Sequence, residues 1–433
     1  MMDELVYKAI CEDRPTRLES FLRNGGDPNM WIEDTARISA KTFLHVCCEK
    51  GRIRCVKVLL EFGAQVDIQG SWGQTPLMLC VLVQYYNIAE LLLNNCKNII
   101  NQQDSSGNTP MHIAIANDSV EGVELLLRYH ADLNVMNTNG QTPLMKICST
   151  KDSKNMHTIV KLLLKGGANI DEKDFKSHRT ALQRAVLSKN IHTVELLLNC
   201  GADPNSQDSS GRTPLSNIIW DNIRTYERTR LINDDVMTII FMLVSAGTNL
   251  NTCRYEHSNP LIMSIQFGCT PLVNYLLVSG ASLHVAYFGG ITPLHHAVNK
   301  KDMDTIKVLL NWTSDLRVKA RMDKFNYELE FDVFHWAVNT DCPEIALLLV
   351  KAGYNASTVD YLTNPCLPPP MCFLGRPDIL EELRNAVLEP PTLFDSSVRR
   401  IRKALRNNIS SKADQLPLPK LLIEDVKLRG LLC

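Results

Sequence analysis

Seven threonines, Thr42, Thr75, Thr109, Thr142, Thr180, Thr213 and Thr292, stand at nearly constant spacing, and five of them precede a proline. With Asn259 and Asp332 in the same place of weaker copies, the successive steps are 33, 34, 33, 38, 33, 46, 33 and 40 residues, a 33-residue period with three insertions. A period of this length argues against one ordinary globular core, because each copy is too short to bury its apolar face and must stack on its neighbours. The clearest copy runs from Asp104 to Asn134. Its Thr109-Pro110 pair predicts a helix start, since a threonine hydroxyl caps free N–H groups and proline is tolerated at the first helical position. The helical pattern breaks at Asn117 and Asp118 and resumes through Val123, Leu126 and Leu127 to near His130, so one copy is two short helices after a polar turn, Asp104 to Gly107. Gly122 is out of place in the second helix, which it should weaken by about 1 kcal/mol relative to alanine.

The period and the Thr292-Pro293-Leu294-His295 tetrapeptide resemble the ankyrin-repeat family. The resemblance implies an all-α ankyrin-repeat solenoid of about ten helix-turn-helix repeats, counting a first copy at 2–29 that lacks the tetrapeptide but keeps the second helix. It also implies that His295 hydrogen-bonds within its repeat, which makes His295-His296 a structural pair and not a metal site. Helix ends agree: Gly63, Gly167, Gly201, Gly247, Gly280 and Gly353 each follow a Leu-rich or Val-rich helix, where a left-handed residue is wanted. Asn95 and His130, which tolerate that conformation, stand near the ends that lack glycine.

Composition narrows the function. A hydrophobic fraction of 45% suffices for a packed core, and a formal net charge of -1 argues against nucleic acid as the partner of the whole surface. Membrane association is not expected, since no apolar run approaches the roughly eighteen residues of a membrane span and the start MMDELVYKAICEDR does not read as a signal peptide. Fourteen cysteines are scattered along the chain, several at helix packing positions such as Cys48, Cys80 and Cys148, which suits reduced thiols in the cytoplasm or nucleus. Cys366 and Cys372 have no second pair at zinc spacing, so no metal is expected. Neither a phosphate-binding glycine loop nor a nucleophile motif is present, so no cofactor and no catalysis are expected.

The insertions read as Ser149 to Lys154 between the two helices of one repeat, Asn222 to Asp235 in the same place of another as an exposed loop or extra helical turn, and Val318 to Phe331 between repeats. By the resemblance, the turns between repeats are where an ankyrin stack reads a protein partner. Three aromatics fall there, Trp72 before Gly73 and Tyr287-Phe288 before Gly289-Gly290, whereas Asp104 and Asp208 open the corresponding turns elsewhere. They are either target-binding residues or rings folded back on the stack.

Repeat periodicity covers 1–358. Residues 359–388 form a proline-rich linker or degenerate capping repeat, with Ile379, Leu380, Leu383 and Val387 at helical spacing to cover the end of the stack. From 389 to 433 the pattern changes. Thr392, Leu393, Ser397, Ile401 and Leu405 fall on one stripe, and Leu416-Pro417-Leu418-Pro419 separates that helix from another centred on Leu421 to Leu428. This segment resembles a SOCS box, and the combination resembles the ankyrin-repeat and SOCS-box family, substrate receptors of cullin-RING ubiquitin ligases.

The resemblance implies that Thr392, Leu393, Ser397, Ile401 and Leu405 bind the elongin B and elongin C pair, and that Leu416, Pro417, Leu418, Pro419, Leu422 and Ile423 bind a cullin scaffold with its RING protein. Ser397 stands where the family has cysteine, and its hydroxyl in an apolar pocket costs roughly 1–3 kcal/mol unless partnered. Asp425 stands where an aromatic is common. The basic run Arg399, Arg400, Arg402, Lys403 and Arg406 lies off the apolar stripe, as a solvated helix face does. The implied function is a non-catalytic adaptor that holds a protein substrate near a ligase for ubiquitination and proteasomal degradation. The alternative is an ankyrin scaffold or inhibitor whose C-terminal segment merely caps the stack.

Overall fold

The computed structural model describes residues 2–33, 40–150, 154–229, 233–252, 259–284, 290–312, 316–321, 330–364 and 366–388. The Thr-Pro pairs begin helices as expected. Thr75 lies in extended backbone, its hydroxyl accepts the Met78 N–H at 3.3 Å, and Pro76 takes the first helical position. Asn259 and Asp332 cap in the same way, accepting N–H groups from Ile262 at 3.1 Å and His335 at 3.0 Å.

The described residues divide into two compact units. One, Met1–Ile218 with Asp234–Gly247, opens with α1 (Met2–Cys11) and α2 (Pro15–Arg23), then the hairpin β1 (Trp31–Glu33) and β2 (Ala40–Thr42). Helix pairs follow: α3 (Phe43–Lys50) with α4 (Ile53–Glu61), α5 (Pro76–Leu82) with α6 (Tyr86–Asn95), and α7 (Pro110–Ala116) with α8 (Val120–Arg128). Next come α9 (Pro143–Cys148) with α10 (Met156–Lys165), and α11 (Ala181–Leu187) with α12 (Ile191–Asn199). Within this unit first helices stack on first helices and second on second, and α12 packs on α14 (Asp234–Ser245), which follows α13 (Pro214–Thr229).

The other unit, Ile219–Asn233 with Thr248 onward, pairs α15 (Pro260–Gln266) with α16 (Thr270–Val278) and α17 (Pro293–Lys300) with α18 (Met303–Trp312). The hairpin β3 (Lys319–Arg321) and β4 (Glu330–Asp332) leads into α19 (Val333–Asn339) and α20 (Pro343–Lys351). Last come α21 (Asp360–Thr363) and α22 (Pro377–Leu388), which packs on α20 and α21 with Ile379 and Leu383 buried.

Neighbouring repeats are tied together by the fourth residue of the tetrapeptide. His112 is fully buried; its Nδ1 accepts the Thr109 N–H at 3.2 Å, and its Nε2 meets the Gln141 carbonyl of the next repeat at 2.9 Å. These partners require the proton on Nε2. His45 does the same with Thr42 (3.2 Å) and Gln74 (3.1 Å). Gln183 imitates them: Oε1 accepts the Thr180 N–H at 3.0 Å and Nε2 donates to the Arg212 carbonyl at 3.0 Å. His295 keeps the bond to Thr292 at 3.3 Å, as the tetrapeptide implies, while its buried Nε2 makes no well-formed hydrogen bond and the Trp336 ring stands edge-on at 5.1 Å. Burial pulls His112 and His295 down to about 4.

Several local expectations are refined. Two hairpins are added to the helical fold, one formed within the 318–331 insertion, where Ala320 lies opposite Phe331. The 222–235 insertion is largely helical, because α13 runs 16 residues, to Thr229. The first repeat has both helices. His130 is left-handed (φ 60°), but Asn95 is not followed by such a residue: Cys96 is extended (φ −146°) and a 3₁₀ turn, Lys97–Asn101, comes next.

Gly122 has a packing reason. A Cβ there would lie 3.1 Å from the Tyr86 ring of the preceding repeat, whose hydroxyl is hydrogen-bonded to the Ser119 hydroxyl at the cap of α8.

Candidate functional site

The turns between repeats, the fingers, are built on carboxylate or amide caps. Asp104 Oδ1 accepts the N–H groups of Ser106 and Asn108, both at 2.8 Å, and Asp208 Oδ1 those of Ser210 (2.9 Å) and Arg212 (3.0 Å). Asn137 does the same with its amide oxygen. These side chains satisfy backbone donors that no helix or sheet reaches.

Each finger is hydrogen-bonded to a neighbour along the first unit. Ser105 N–H donates to the Trp72 carbonyl (2.9 Å), Thr138 N–H to the Ser106 carbonyl (3.0 Å) and Ser209 N–H to the Ser177 carbonyl (2.9 Å). The result is a braced row of tips, suited to hold side chains for a partner without ordering cost at binding.

Trp72 departs from the pattern. Gly70 stands in place of the capping residue, the Gln74 N–H donates to the Ser71 carbonyl (3.4 Å), the Ser71 hydroxyl accepts the Ala40 N–H, and Trp72 sits at φ 63°, ψ 14° with 72% of its surface exposed. A left-handed conformation costs an L-residue roughly 1–2 kcal/mol. A bulky ring kept in that conformation and left in water is the combination expected of a contact residue. Tyr287 and Phe288 lie outside the described residues. So do Thr392, Leu393, Ser397, Ile401 and Leu405, and Leu416, Pro417, Leu418, Pro419, Leu422 and Ile423.

A second tip escaped the sequence reading. Asp174 stands six residues before Thr180, where Asp104 and Asp208 stand five before theirs, so one extra residue lies in this finger, and the insertion expected at Ser149 to Lys154 is split between the finger and the turn between the helices. The signal was that spacing. The longer finger puts Phe175 in solvent, 57% exposed. Beneath it Asp174 is buried and accepts from Ser177 and from Arg184 Nη2 at 2.9 Å. Burial opposes its ionisation, yet the Ser177 hydrogen bonds and the Arg184 guanidinium hold its carboxyl below the usual range.

In the other unit, Asp332 takes the threonine position, pairing with His335 Nδ1 at 2.8 Å and accepting the Tyr354 hydroxyl at 2.7 Å. Burial works against this carboxylate, but those donors keep it below its ordinary value. Among the described residues no group of three or more His, Cys, Asp or Glu is arranged to hold a metal ion, and no helix is long and apolar enough to cross a membrane.

Comparison with known proteins agrees with this architecture. A model described as "Ankyrin repeats (3 copies)" matches residues 6–104, 44–137, 111–208 and 261–360. Human Ankyrin repeat and SOCS box protein 16 is 30% identical over 184 residues, which cover 42% of this chain and 40% of that protein. The mouse protein of the same name is 32% identical over the same coverage. The match thus spans well under half the length of these relatives. A solved structure, the ankyrin repeat domain of Bcl-3, has a TM-score of 0.45 and 28% identity over 52% of this chain and 93% of its own. With matches over well more than half of its residues, the chain belongs to the ankyrin-repeat family, a protein–protein interaction fold.

Proposed function

We propose that this chain is the substrate-recognition subunit of an elongin B/C–cullin–RING ubiquitin ligase. The repeats hold a protein target, and 389–433 ties it to the ligase, so that target lysines meet activated ubiquitin at high effective concentration. The observation that carries the reading is the stripe Thr392, Leu393, Ser397, Ile401 and Leu405 followed by Leu416 to Pro419, directly after the repeats. The similarity to two ankyrin-repeat and SOCS-box proteins supports it. The family-model matches end at residue 360, so the C-terminal pattern rests on its own residues. Exposed, strained Trp72 supports target capture at the fingers.

Affinity purification of the full chain and of Leu393→Asp, scored for elongins and a cullin, tests this. The charge belongs in no apolar pocket, so the variant should lose both elongins. Equal recovery would sink the assignment and favour the plain scaffold.

A further inference from the structure

Met371 is 85% exposed, more than any other large apolar side chain among the described residues, and Leu374 beside it is 65% exposed. Both belong to the turn between α21 and α22, which is firmly held. Phe373 N–H donates to the Pro370 carbonyl at 3.0 Å, Leu374 N–H donates to the Met371 carbonyl at 3.1 Å, and the Phe373 ring is buried beside Tyr361. Residues three apart in a 3₁₀ turn lie on one side of it, so Met371 and Leu374 form one surface, with the exposed Leu367 a few residues before. From Cys366 to Gly375 the chain carries no charged residue, and the next one, Arg376, is engaged by Asp378 and Glu344. The surface offers a partner apolar contact and no charge.

We propose that this turn is the seat of the chain's own C-terminus, with Leu428, Leu431 and Leu432 lying on Met371 and Leu374. The lengths match. α22 begins just after the turn, and its 12 residues span about 18 Å, so residue 389 starts that far from the seat. Pro390-Pro391 ends that helix, and the helix read in the sequence over 392–405 is about 21 Å long, enough to lead back to the level of the turn. The chain from 406 to 433 is then left to reach it. Seven of its last thirteen residues, Leu421 to Cys433, are aliphatic, which suits an uncharged seat. Leu428, Leu431 and Leu432 have no task in the ligase reading, which gives 392–405 to the elongins and Leu416 to Ile423 to the cullin. A tether of about forty residues keeps the terminus near the turn at an effective concentration on the order of millimolar, which a second copy or a foreign apolar segment would have to exceed. The inference takes from the ligase reading only that 392–405 is left free, and the seat itself needs no elongin. Covering an exposed turn beyond α20 adds little to the repeats, whose stability rests on nearest neighbours.

The test is oxidation of the full chain by dilute hydrogen peroxide, with Met371 sulfoxide counted by mass spectrometry. A free peptide of residues 366–376 sets the rate of an open methionine, and the fully buried Met78 and Met111 set that of a closed one. Met371 should oxidise about tenfold more slowly in the full chain than in the peptide, at every protein concentration. Leu428→Glu with Leu431→Glu should restore the peptide's rate without moving the melting temperature. Reciprocally, Met371→Glu with Leu374→Glu, both at exposed positions, should speed tryptic cleavage after Lys427 and Arg429 several-fold. Oxidation of Met371 at the peptide's rate in the full chain, or protection that persists in the Leu428 and Leu431 variant, would overturn the inference. Protection that fades on dilution would overturn it in favour of a second copy, and protection that appears only with elongin B and C added would overturn it in favour of a ligase partner. If the full chain recovers no elongins while Met371 stays protected, the ligase reading fails and this inference stands; elongin recovery with Met371 unprotected is the reverse.

Discussion

His112→Ala and His112→Gln together isolate what holds one repeat to the next. His112 accepts from Thr109 and donates to Gln141, and nothing of it reaches solvent. Alanine removes both bonds: loss of the bond to the Gln141 carbonyl, which still accepts the Asn137 N–H at 3.0 Å, costs about 1 kcal/mol, and the buried Thr109 N–H left without a partner costs about 1–3 kcal/mol. A loss of roughly 2–4 kcal/mol at neutral pH is therefore expected. Glutamine should be far milder, because Gln183 makes the same two bonds at its own position.

The pair also separates a pH effect. Burial holds His112 at about 4, below the ordinary histidine value of 6.5, so protons bind the unfolded state first. Its contribution is complete above pH 6.5 and is lost as pH falls from there toward 4; at pH 5 the loss is on the order of 2 kcal/mol. Hydrogen exchange of the amides in α7 and α9, at neutral pH and at pH 5, reads local opening directly. The wild type should open more easily in acid, and His112→Gln should show less of that acid sensitivity. An alanine variant within about 0.5 kcal/mol of wild type, or a glutamine variant with undiminished acid loss, would refute the bridge.

Gly122→Ala should destabilise by about 1 kcal/mol despite its better helix propensity, because the new methyl displaces the Tyr86 ring; adding Tyr86→Ala should reverse the sign of the glycine substitution in urea denaturation. Tyr354→Phe should cost roughly 1.5–3 kcal/mol in the same assay, since its hydroxyl donates to the buried Asp332 carboxylate. Trp72→Asn should leave stability unchanged or raise it by up to ~1 kcal/mol, asparagine being easier in the left-handed region, while weakening target capture in a pull-down.

The stacking of helix pairs was legible because a 33-residue period and Thr-Pro starts are local signals that recur along the chain. What was not legible depends on contacts between copies. Gly122 read as a weak point because the ring that needs its missing side chain, Tyr86, belongs to the repeat before. Phe175 was hidden by one extra residue that turns it outward, a shift visible only when Asp174 is counted back from Thr180. The two hairpins pair strands of three residues each, too short to show an alternating pattern. The final helix was readable, since Ile379 and Leu383 lie one turn apart and both are buried.

The most direct measurement mixes purified elongin B and C with the full chain and with residues 1–388, and reads complex formation by size-exclusion chromatography with light scattering. The shortened chain keeps α22 and its packing on α20, so its melting temperature should stay near that of the full chain. The account predicts a stable complex with the full chain and none with 1–388. A full chain that elutes alone, or a shortened chain that binds the elongins equally well, would contradict it.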